Sequence, residues 1–337
     1  MASSTPRPQP TTLPFNLTKP DTNTTTNTTT TTNPQTIPHL PTPKLLLQIH
    51  DLRNPASTTF LTLIPNLAST LETALTTILQ TLYTKPTPPS SPSTPTPTQT
   101  PIQNHNRITF TPTLPPTRSI TTHLRQIPGV AYTTGTDLDA DHKEIHLSLS
   151  YIASCTTRYA DPRAELVGML THELVHCYQH TRPQNKETQT PDPPGGLIEG
   201  IADFVRLRAG LAPPHWTRPR GAEERAGKWD QGYQHTAYFL DWLEEVRIGT
   251  GAVGLVNDRL LRVGYVGEGE GEGDDGEDEQ VQNGDAEGES FWKGLFGVGV
   301  EELWEEYGRW LDTPAGKVDE ETKTPGNGNW EGEIVNP

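Results

Sequence analysis

Two histidines and a glutamate in the run His172-Glu173-Leu174-Val175-His176 have the residue types and the spacing of a metal site. On an α-helix, residues four positions apart are separated by about 40° around the axis and about 6 Å along it, so both imidazoles can reach one ion. This geometry suits a tetrahedral zinc ion, and the adjacent carboxylate can take a proton from a zinc-bound water. The pattern predicts a zinc-dependent hydrolytic site. The alternative is a surface helix that carries the same residues without a metal.

A catalytic zinc ion needs a third protein ligand and one open position. His180 lies eight residues after His172, which is about 12 Å of helix rise, so an unbroken helix cannot bring it to the same ion. One class of zinc peptidase breaks the helix with Gly three residues after the second histidine and supplies a third histidine three residues further on. This chain has Gln179 and Arg182 at those positions, which excludes that class.

Glu199 is the best candidate for the third ligand. It lies near the start of a predicted helix that follows a Pro- and Gly-rich reversal, so the chain can fold back and present this carboxylate across from the two histidines. Asp203, one turn later, falls on the same face and can accept the free ring N–H of a liganding histidine, which fixes the tautomer. Two carboxylates in an apolar run are costly to bury without a cation. The alternative is that both are solvated and merely interrupt the apolar stripe.

The elements around these residues predict a small sheet in the first half of the chain and helices in the second. Apolar runs and alternation indicate strands, at residues 44–51, 107–111, 129–133 and 144–152. Apolar stripes, caps and Gly or Pro breaks indicate helices, at 60–83, 161 to about 180, 197–209, near 231–247 and 251–262, and 300–311. The predicted fold class is α+β, a small mixed sheet with an active-site helix followed by a mainly helical lower subdomain.

Several stretches have compositions that cannot bury enough apolar surface to fold. Residues 1–42 are a predicted disordered tail rich in Thr, Pro and Asn, and residues 314–337 are a polar C-terminal tail. The folded domain is placed at 43–313, with disordered insertions at about 84–105 and 266–290. The second insertion is strongly acidic, and without it the formal net charge changes from −16 to −5. The remaining charge argues against a nucleic-acid partner, which usually meets a basic stripe.

Neither the first residues nor any later window has the apolar run of a secretory signal or of a membrane span. The sequence therefore predicts a soluble protein that has no membrane partner and is not exported by the standard route, with the cytoplasm as the favoured compartment. The two cysteines, Cys155 and Cys177, cannot form a disulfide framework. One bridge is possible, and two buried thiols are the simpler prediction.

Three blocks of sequence extend the metal motif into a longer signature. They read THELVHCYQ at 171–179, LIEGIADFVR at 197–206 and GYQHTAYFLDWLE at 232–244, and LWEEY follows at 303–307. In this order and spacing they resemble the plant basic secretory protein family, also described as peptidases of plants and bacteria, from about residue 44 to residue 311. The family name contrasts with the acidity of this chain, so extracellular defence functions are not carried over.

The resemblance implies a zincin-like fold, as in thermolysin-like gluzincins, in which a small sheet packs over the active-site helix and a helical lower half supplies the third ligand. It also implies that substrate lies along an edge strand, for which residues 144–152 are the candidate. Peptide hydrolysis needs a donor for the oxyanion in addition to zinc. The family pattern favours Tyr233, whereas analogy with thermolysin favours a histidine, here His235, and packing roles for both stay open.

The leading hypothesis is a zinc endopeptidase that acts on peptide or protein substrates. The side chains assigned to it are the zinc ligands His172, His176 and Glu199, the general base Glu173, and Tyr233 as a second catalytic residue. A hypothesis from another class is a zinc-stabilised binding protein on the same scaffold, without turnover. An aminopeptidase needs an acidic anchor for the substrate amino terminus, and no motif supplies one. The sequence does not indicate an oligomeric state.

Overall fold

The computed structural model describes residues 42–87, 110–183, 190–267 and 290–317. The predicted N-terminal tail, most of both insertions and most of the C-terminal tail lie outside these ranges, so their disorder stays a prediction. Within the described ranges the chain is α+β, as predicted, with a small mixed sheet packed against helices. None of the described helices is long and apolar enough to cross a membrane.

The sheet has four strands, two of which are at its edges. In chain order they are β1 (Lys44–Ile49), β2 (Ser119–Arg125), β3 (Ala131–Thr136) and β4 (Asp139–Ser148). Their spatial order is β1-β2-β4-β3. The pairs β1–β2 and β2–β4 are parallel, whereas β3 pairs antiparallel with β4. Strand β3 is therefore an edge strand of this sheet, and β4 lies inside it.

Helices cover one face of the sheet and build the second half of the chain. They are α1 (Pro55–Leu63), α2 (Leu67–Leu82), α3 (Leu149–Arg158), α4 (Pro162–His176), α5 (Gly195–Arg208), α6 (Tyr233–Trp242), α7 (Ala252–Arg262), α8 (Phe291–Phe296) and α9 (Val300–Leu311). The start of α4 is as predicted, because Asp161 accepts a hydrogen bond from the N–H of Ala164 and Pro162 occupies the first turn. Both cysteines are buried free thiols, also as predicted.

The predicted helix 60–83 is wrong, because two residues divide it. Pro65 has no N–H to donate within a helix, and Asn66 caps α2 by accepting a hydrogen bond from the N–H of Ser69 at 3.0 Å. The predicted strand 144–152 is wrong at its end for a similar reason. Ser148 ends β4 and caps α3, so the last alternating apolar residues are buried on a helix instead.

Two further elements differ from the sequence prediction. The predicted strand 107–111 is not found in its described part, residues 110–111, and strand β2 (Ser119–Arg125) takes that place in the sheet. Its residues Ile120 and Leu124 are buried in the core, whereas the polar residues between them hide the apolar alternation from sequence analysis. The short helix α8 was not predicted either, because its six residues are too few for a clear period.

A buried ion pair fixes helix α4 against helix α5. The guanidinium of Arg206 donates to Oε2 of Glu165 at 2.9 Å and to the carbonyl oxygen of Leu211 at 2.9 Å. The hydroxyl of Tyr151 on α3 donates to the other oxygen of Glu165. A Cβ at Gly168 would lie only 2.6 Å from Nε of Arg206, so glycine allows the guanidinium to cross the backbone of α4. These contacts set the separation of the two helices that carry the motif.

Replacing Arg206 by Leu is expected to lower the free energy of unfolding by about 3–5 kcal/mol, because it leaves the carboxylate of Glu165 buried without its partner. Urea unfolding followed by circular dichroism measures this change. Arg163→Leu is the matched control, since it removes an exposed arginine from α4, the helix that carries Glu165, and we expect a change within about 0.5 kcal/mol. Equal effects of the two substitutions would contradict a positioning role for the buried pair.

Candidate functional site

Helices α4 and α5 bring the three predicted metal ligands together. The Nε2 atoms of His172 and His176 are 3.2 Å apart, and Oε2 of Glu199 lies 3.1 Å from Nε2 of His172. The second carboxylate oxygen of Glu199 lies 3.8 Å from Nε2 of His176. One ligand atom of each side chain therefore lies within 4.8 Å of the others, close enough to share a metal ion. His180 is not in this group, since its Nε2 lies 2.8 Å from the carbonyl oxygen of Thr113.

The donor set fits a zinc ion. With zinc–nitrogen distances of about 2.0–2.1 Å, neighbouring ligand atoms of a tetrahedral site lie roughly 3.3–3.4 Å apart, close to the distances above. Nδ1 of His172 lies 2.7 Å from Oδ1 of Asp203, and with the proton on Nδ1 the lone pair of Nε2 faces the carboxylate of Glu199. Two electron-rich groups in contact need a cation between them, either a second proton on the ring of His172 or a metal ion.

Each of the two histidines also has a partner on its other ring nitrogen. Asp203, 2 % exposed, holds His172 as described. The side-chain nitrogen of Gln179 lies 3.1 Å from Nδ1 of His176, and the amide oxygen is buried without a hydrogen-bond partner among the described residues. Rotating the Gln179 amide by 180° lets its oxygen accept a hydrogen bond from Nδ1–H of His176, which leaves Nε2 of that ring free for a metal. Gln179 was not predicted as a partner of His176, although its spacing of three residues from that histidine indicates the contact.

Burial and neighbouring charges shift the pKa values of the three ligands in different directions. Burial alone would lower the pKa of His172, but the charges and hydrogen bonds of Asp203 and Glu199 raise it well above its ordinary value. Burial and the charge of His172 lower the pKa of His176 to about 4. Burial alone would raise the pKa of Glu199, yet its hydrogen bond with His172 and the charges of both histidines lower it to about 2. A neutral His176 and an ionised Glu199 are the forms that bind zinc.

Strand β3 holds the carboxylate of Glu173 beside the ligands. Oγ1 of Thr133 donates to Oε2 of Glu173 at 2.7 Å and lies 2.9 Å from the main-chain carbonyl oxygen of the same residue. Burial is the largest influence on the pKa of Glu173 and raises it to about 7, although the charge of His172 lowers it. A carboxyl group with a pKa near neutrality can both accept and release a proton. Thr133 was not predicted as a site residue, because its place in a predicted strand was its only signal in the sequence.

A cavity of about 250 Å³ opens onto these groups. Its walls come from β3 and its preceding loop, from α4, from α5 and from the start of α6. Tyr233 lines the cavity, whereas His235 is not among the residues that do. The structure therefore separates the two predicted oxyanion donors by position, with Tyr233 at the site and His235 away from it.

Two glycines of α5 let the chain around Tyr233 approach the site. A Cβ at Gly196 would lie 1.8 Å from the carbonyl oxygen of Asp230, and a Cβ at Gly200 would lie 2.3 Å from Cγ2 of Thr236. Tyr233 itself has a φ of 48°, in the left-handed region that residues other than glycine rarely adopt. Backbone strain of this kind clusters at functional sites. The strain makes Tyr233 a stronger candidate than its place in a sequence motif did.

The candidate strand for substrate needs correction. Residues 144–148 belong to β4, which is paired on both sides, and residues 149–152 belong to α3. A strand between two others has no unpaired backbone groups to offer a peptide. The edge strand beside the cavity is β3 (Ala131–Thr136), three of whose residues are part of the cavity wall.

Residues 42–307 of the chain match the family model described as BSP, "Peptidase of plants and bacteria". The matched region includes all four strands and every helix of the candidate site. No curated protein and no solved structure matches the chain.

His176→Ala and Glu199→Ala are each expected to lose one zinc ion per chain, because each removes a donor from a three-ligand site. Asp203→Ala is expected to weaken the same site about 10–100-fold. Equilibrium dialysis against zinc followed by elemental analysis measures both effects. His235→Ala removes a half-buried histidine outside the cavity and should retain the zinc content of the wild type. Ligand variants with unchanged zinc content would refute the site.

Proposed function

The chain belongs to the family of peptidases of plants and bacteria, and within it we propose a zinc-dependent endopeptidase acting on peptides or proteins. The observation that carries the proposal is the convergence of His172, His176 and Glu199 within 4.8 Å, at a cavity that also holds Glu173. This donor set is that of the catalytic zinc sites with two histidines and one glutamate. A peptide bond is a substrate that such a site can hydrolyse.

In this proposal His172, His176 and Glu199 would hold a zinc ion. A zinc ion bound by these residues would polarise a carbonyl group and lower the pKa of a water molecule. Asp203 and Gln179 hold the Nδ1 protons of the two histidines, so that both Nε2 atoms stay available. The buried ion pair between α4 and α5 keeps the two histidines of α4 at a fixed distance from Glu199 of α5.

Glu173 is proposed as the general base. Its carboxylate takes a proton from the attacking water and returns it to the leaving amine nitrogen, which needs a pKa near the operating pH. Burial supplies the upward shift of that pKa, and the hydrogen bond from Thr133 holds Oε2 in place. The second oxygen, Oε1, is then the atom proposed to receive the proton.

Tyr233 and strand β3 are proposed to hold the substrate. Tyr233 is the proposed donor to the oxyanion that forms on the scissile carbonyl, because this residue lines the cavity. An extended peptide can add to the unpaired edge of β3 through backbone hydrogen bonds. Such a peptide can continue past the site in both directions, which supports endopeptidase action.

The acidic residues of the cavity also favour an endopeptidase over an aminopeptidase. Among the described residues that line it, they are Glu173, Glu199 and Asp203, and each already contacts another side chain of the site. An aminopeptidase needs a further carboxylate to bind the substrate amino terminus. The described cavity wall offers no carboxylate for that purpose.

Glu173→Gln is expected to retain zinc and to lower kcat for cleavage of a peptide library by about 10²–10⁴-fold, because the amide cannot accept the proton. Glu302→Gln makes the same change at an exposed position on α9 and should leave cleavage unaltered. Mass spectrometry of the digest identifies the bonds cleaved, and internal bonds are expected.

The absence of cleavage would point to a binding protein instead of a peptidase. Zinc-loaded wild-type protein that cleaves no peptide in the library, or cleavage that Glu173→Gln leaves unchanged, would contradict the proposed mechanism. The first result would favour a zinc-stabilised binding protein.

Tyr233→Phe is expected to lower kcat about 10²-fold with little change in KM, because a donor to the oxyanion acts mainly in the transition state. Steady-state kinetics on the best peptide of the library, with zinc content measured in parallel, test this. His235→Phe is the paired variant and should retain wild-type kcat. A larger loss in His235→Phe would reverse the assignment of the two residues.

A further inference from the structure

A second group of metal-binding side chains lies on the face of the sheet opposite the helices, which we call the outer face. It consists of His123 on β2 and of Glu144 and His146 on β4. One ligand atom from each lies within 4.8 Å of the others. Nε2 of His146 lies 3.1 Å from Oε2 of Glu144, and Nε2 of His123 lies 3.7 Å from Oε1. We propose that these three residues form a second site for a divalent transition metal ion such as zinc.

The strand register places these residues together. Successive side chains on a strand point to opposite faces, and Ile145 and Leu147 of β4 are buried in the core. Glu144 and His146 therefore share the outer face. His123 is the direct neighbour of His146 in the parallel ladder between β2 and β4. The two imidazoles stack with centroids 4.6 Å apart and planes 11° apart, which directs both Nε2 atoms toward one carboxylate.

Two buried ring nitrogens of this group, Nε2 of His123 and Nδ1 of His146, have no hydrogen-bond partner among the described residues. His123 is 7 % exposed and His146 is 3 % exposed. A buried polar atom without a partner is costly, and a cation bound between the two rings and the carboxylate would pair Nε2 of His123. This unsatisfied nitrogen is the observation that indicates a ligand.

Other rings of the outer face support the same arrangement. Nε2 of His50, just after β1, lies 3.1 Å from Nδ1 of His123. A proton on that Nδ1, donated to His50, leaves the lone pair of Nε2 available for a metal. Tyr132 of β3 stacks on His146 at 4.4 Å between centroids. A row of four rings therefore crosses the sheet, one from each strand or its end, and holds both liganding imidazoles in place.

The chemistry of the donors selects the class of metal. Two imidazoles and one carboxylate suit zinc and the other late divalent first-row metals, whereas calcium and magnesium prefer oxygen ligands. An ion bound there joins β2 to β4, so its binding stabilises the native state by mass action.

The second site does not rest on the proposed function, because none of its three proposed ligands lines the cavity of the candidate active site, although Tyr132, which stacks on His146, does. Full-length, metal-free wild-type protein titrated with zinc in a calorimeter is expected to bind two ions per chain. Glu199→Ala is expected to bind one ion, at the outer face. Adding Glu144→Gln to Glu199→Ala is expected to weaken that remaining binding at least about tenfold, and adding His123→Ala should abolish it.

His142→Ala is the matched control. His142 lies on the same strand and face, two residues before Glu144, where it contacts Ser119 with Nδ1 at 2.6 Å. In the Glu199→Ala background this control should retain the single zinc ion. Zinc is also expected to raise the melting temperature of Glu199→Ala and of its His142→Ala variant, and to raise that of its Glu144→Gln variant less at the same zinc concentration.

The conservative Glu144→Gln variant keeps the test valid if His123→Ala fails to fold. Glu199→Ala that binds no zinc would overturn the second site, and so would zinc binding that Glu144→Gln leaves unchanged. Neither result bears on catalysis, which the Glu173→Gln comparison tests separately.

Discussion

The close packing of α5 against α4 positions every candidate ligand of the cavity site. The two histidines of α4 must face the two carboxylates of α5. A shift of one residue along either helix turns a side chain by about 100° and would separate them. The buried pair of Arg206 with Glu165 provides a fixed register, and Gly168 provides the space for it. The 2.7 Å contact of Asp203 with His172 depends on the same packing. Helix packing is therefore the constraint on which the chemistry depends.

Strand β3 relates the two proposed metal sites to each other. Its residues Tyr132 and Thr133 are adjacent in sequence and point to opposite faces of the sheet. Thr133 holds Glu173 on the helix side, whereas Tyr132 stacks on His146 on the outer side. The same strand has the unpaired edge proposed for substrate. A metal on the outer face would therefore rigidify the sheet that supports the proposed general base, without contributing a group to the reaction.

The sequence predicted the candidate site better than it predicted the sheet. The grouping of His172 with Glu199 and Asp203 was predictable because helical spacing decides which side chains share a face of each helix, and the Pro- and Gly-rich reversal between the two helices lets the chain fold back. The helix prediction at 60–83 failed at Pro65, where one local residue outweighs a regular apolar stripe. Strand β2 was missed because the middle one of its three core-facing residues is the polar Thr122, which is fully buried between Ile120 and Leu124 and interrupts the apolar alternation. Thr133 and the outer-face histidines were missed because pairing register brings them to their partners.

The central claim is that His172, His176 and Glu199 together bind zinc beside Glu173. Anomalous diffraction recorded on both sides of the zinc absorption edge, from crystals of the zinc-loaded protein, tests this claim most directly. The account predicts an anomalous peak at about 2.0–2.2 Å from Nε2 of both histidines and from a carboxylate oxygen of Glu199, with Glu173 outside the coordination sphere. Well-ordered crystals that show no peak at this position, or a zinc ion bound by Glu173 in place of Glu199, would contradict it.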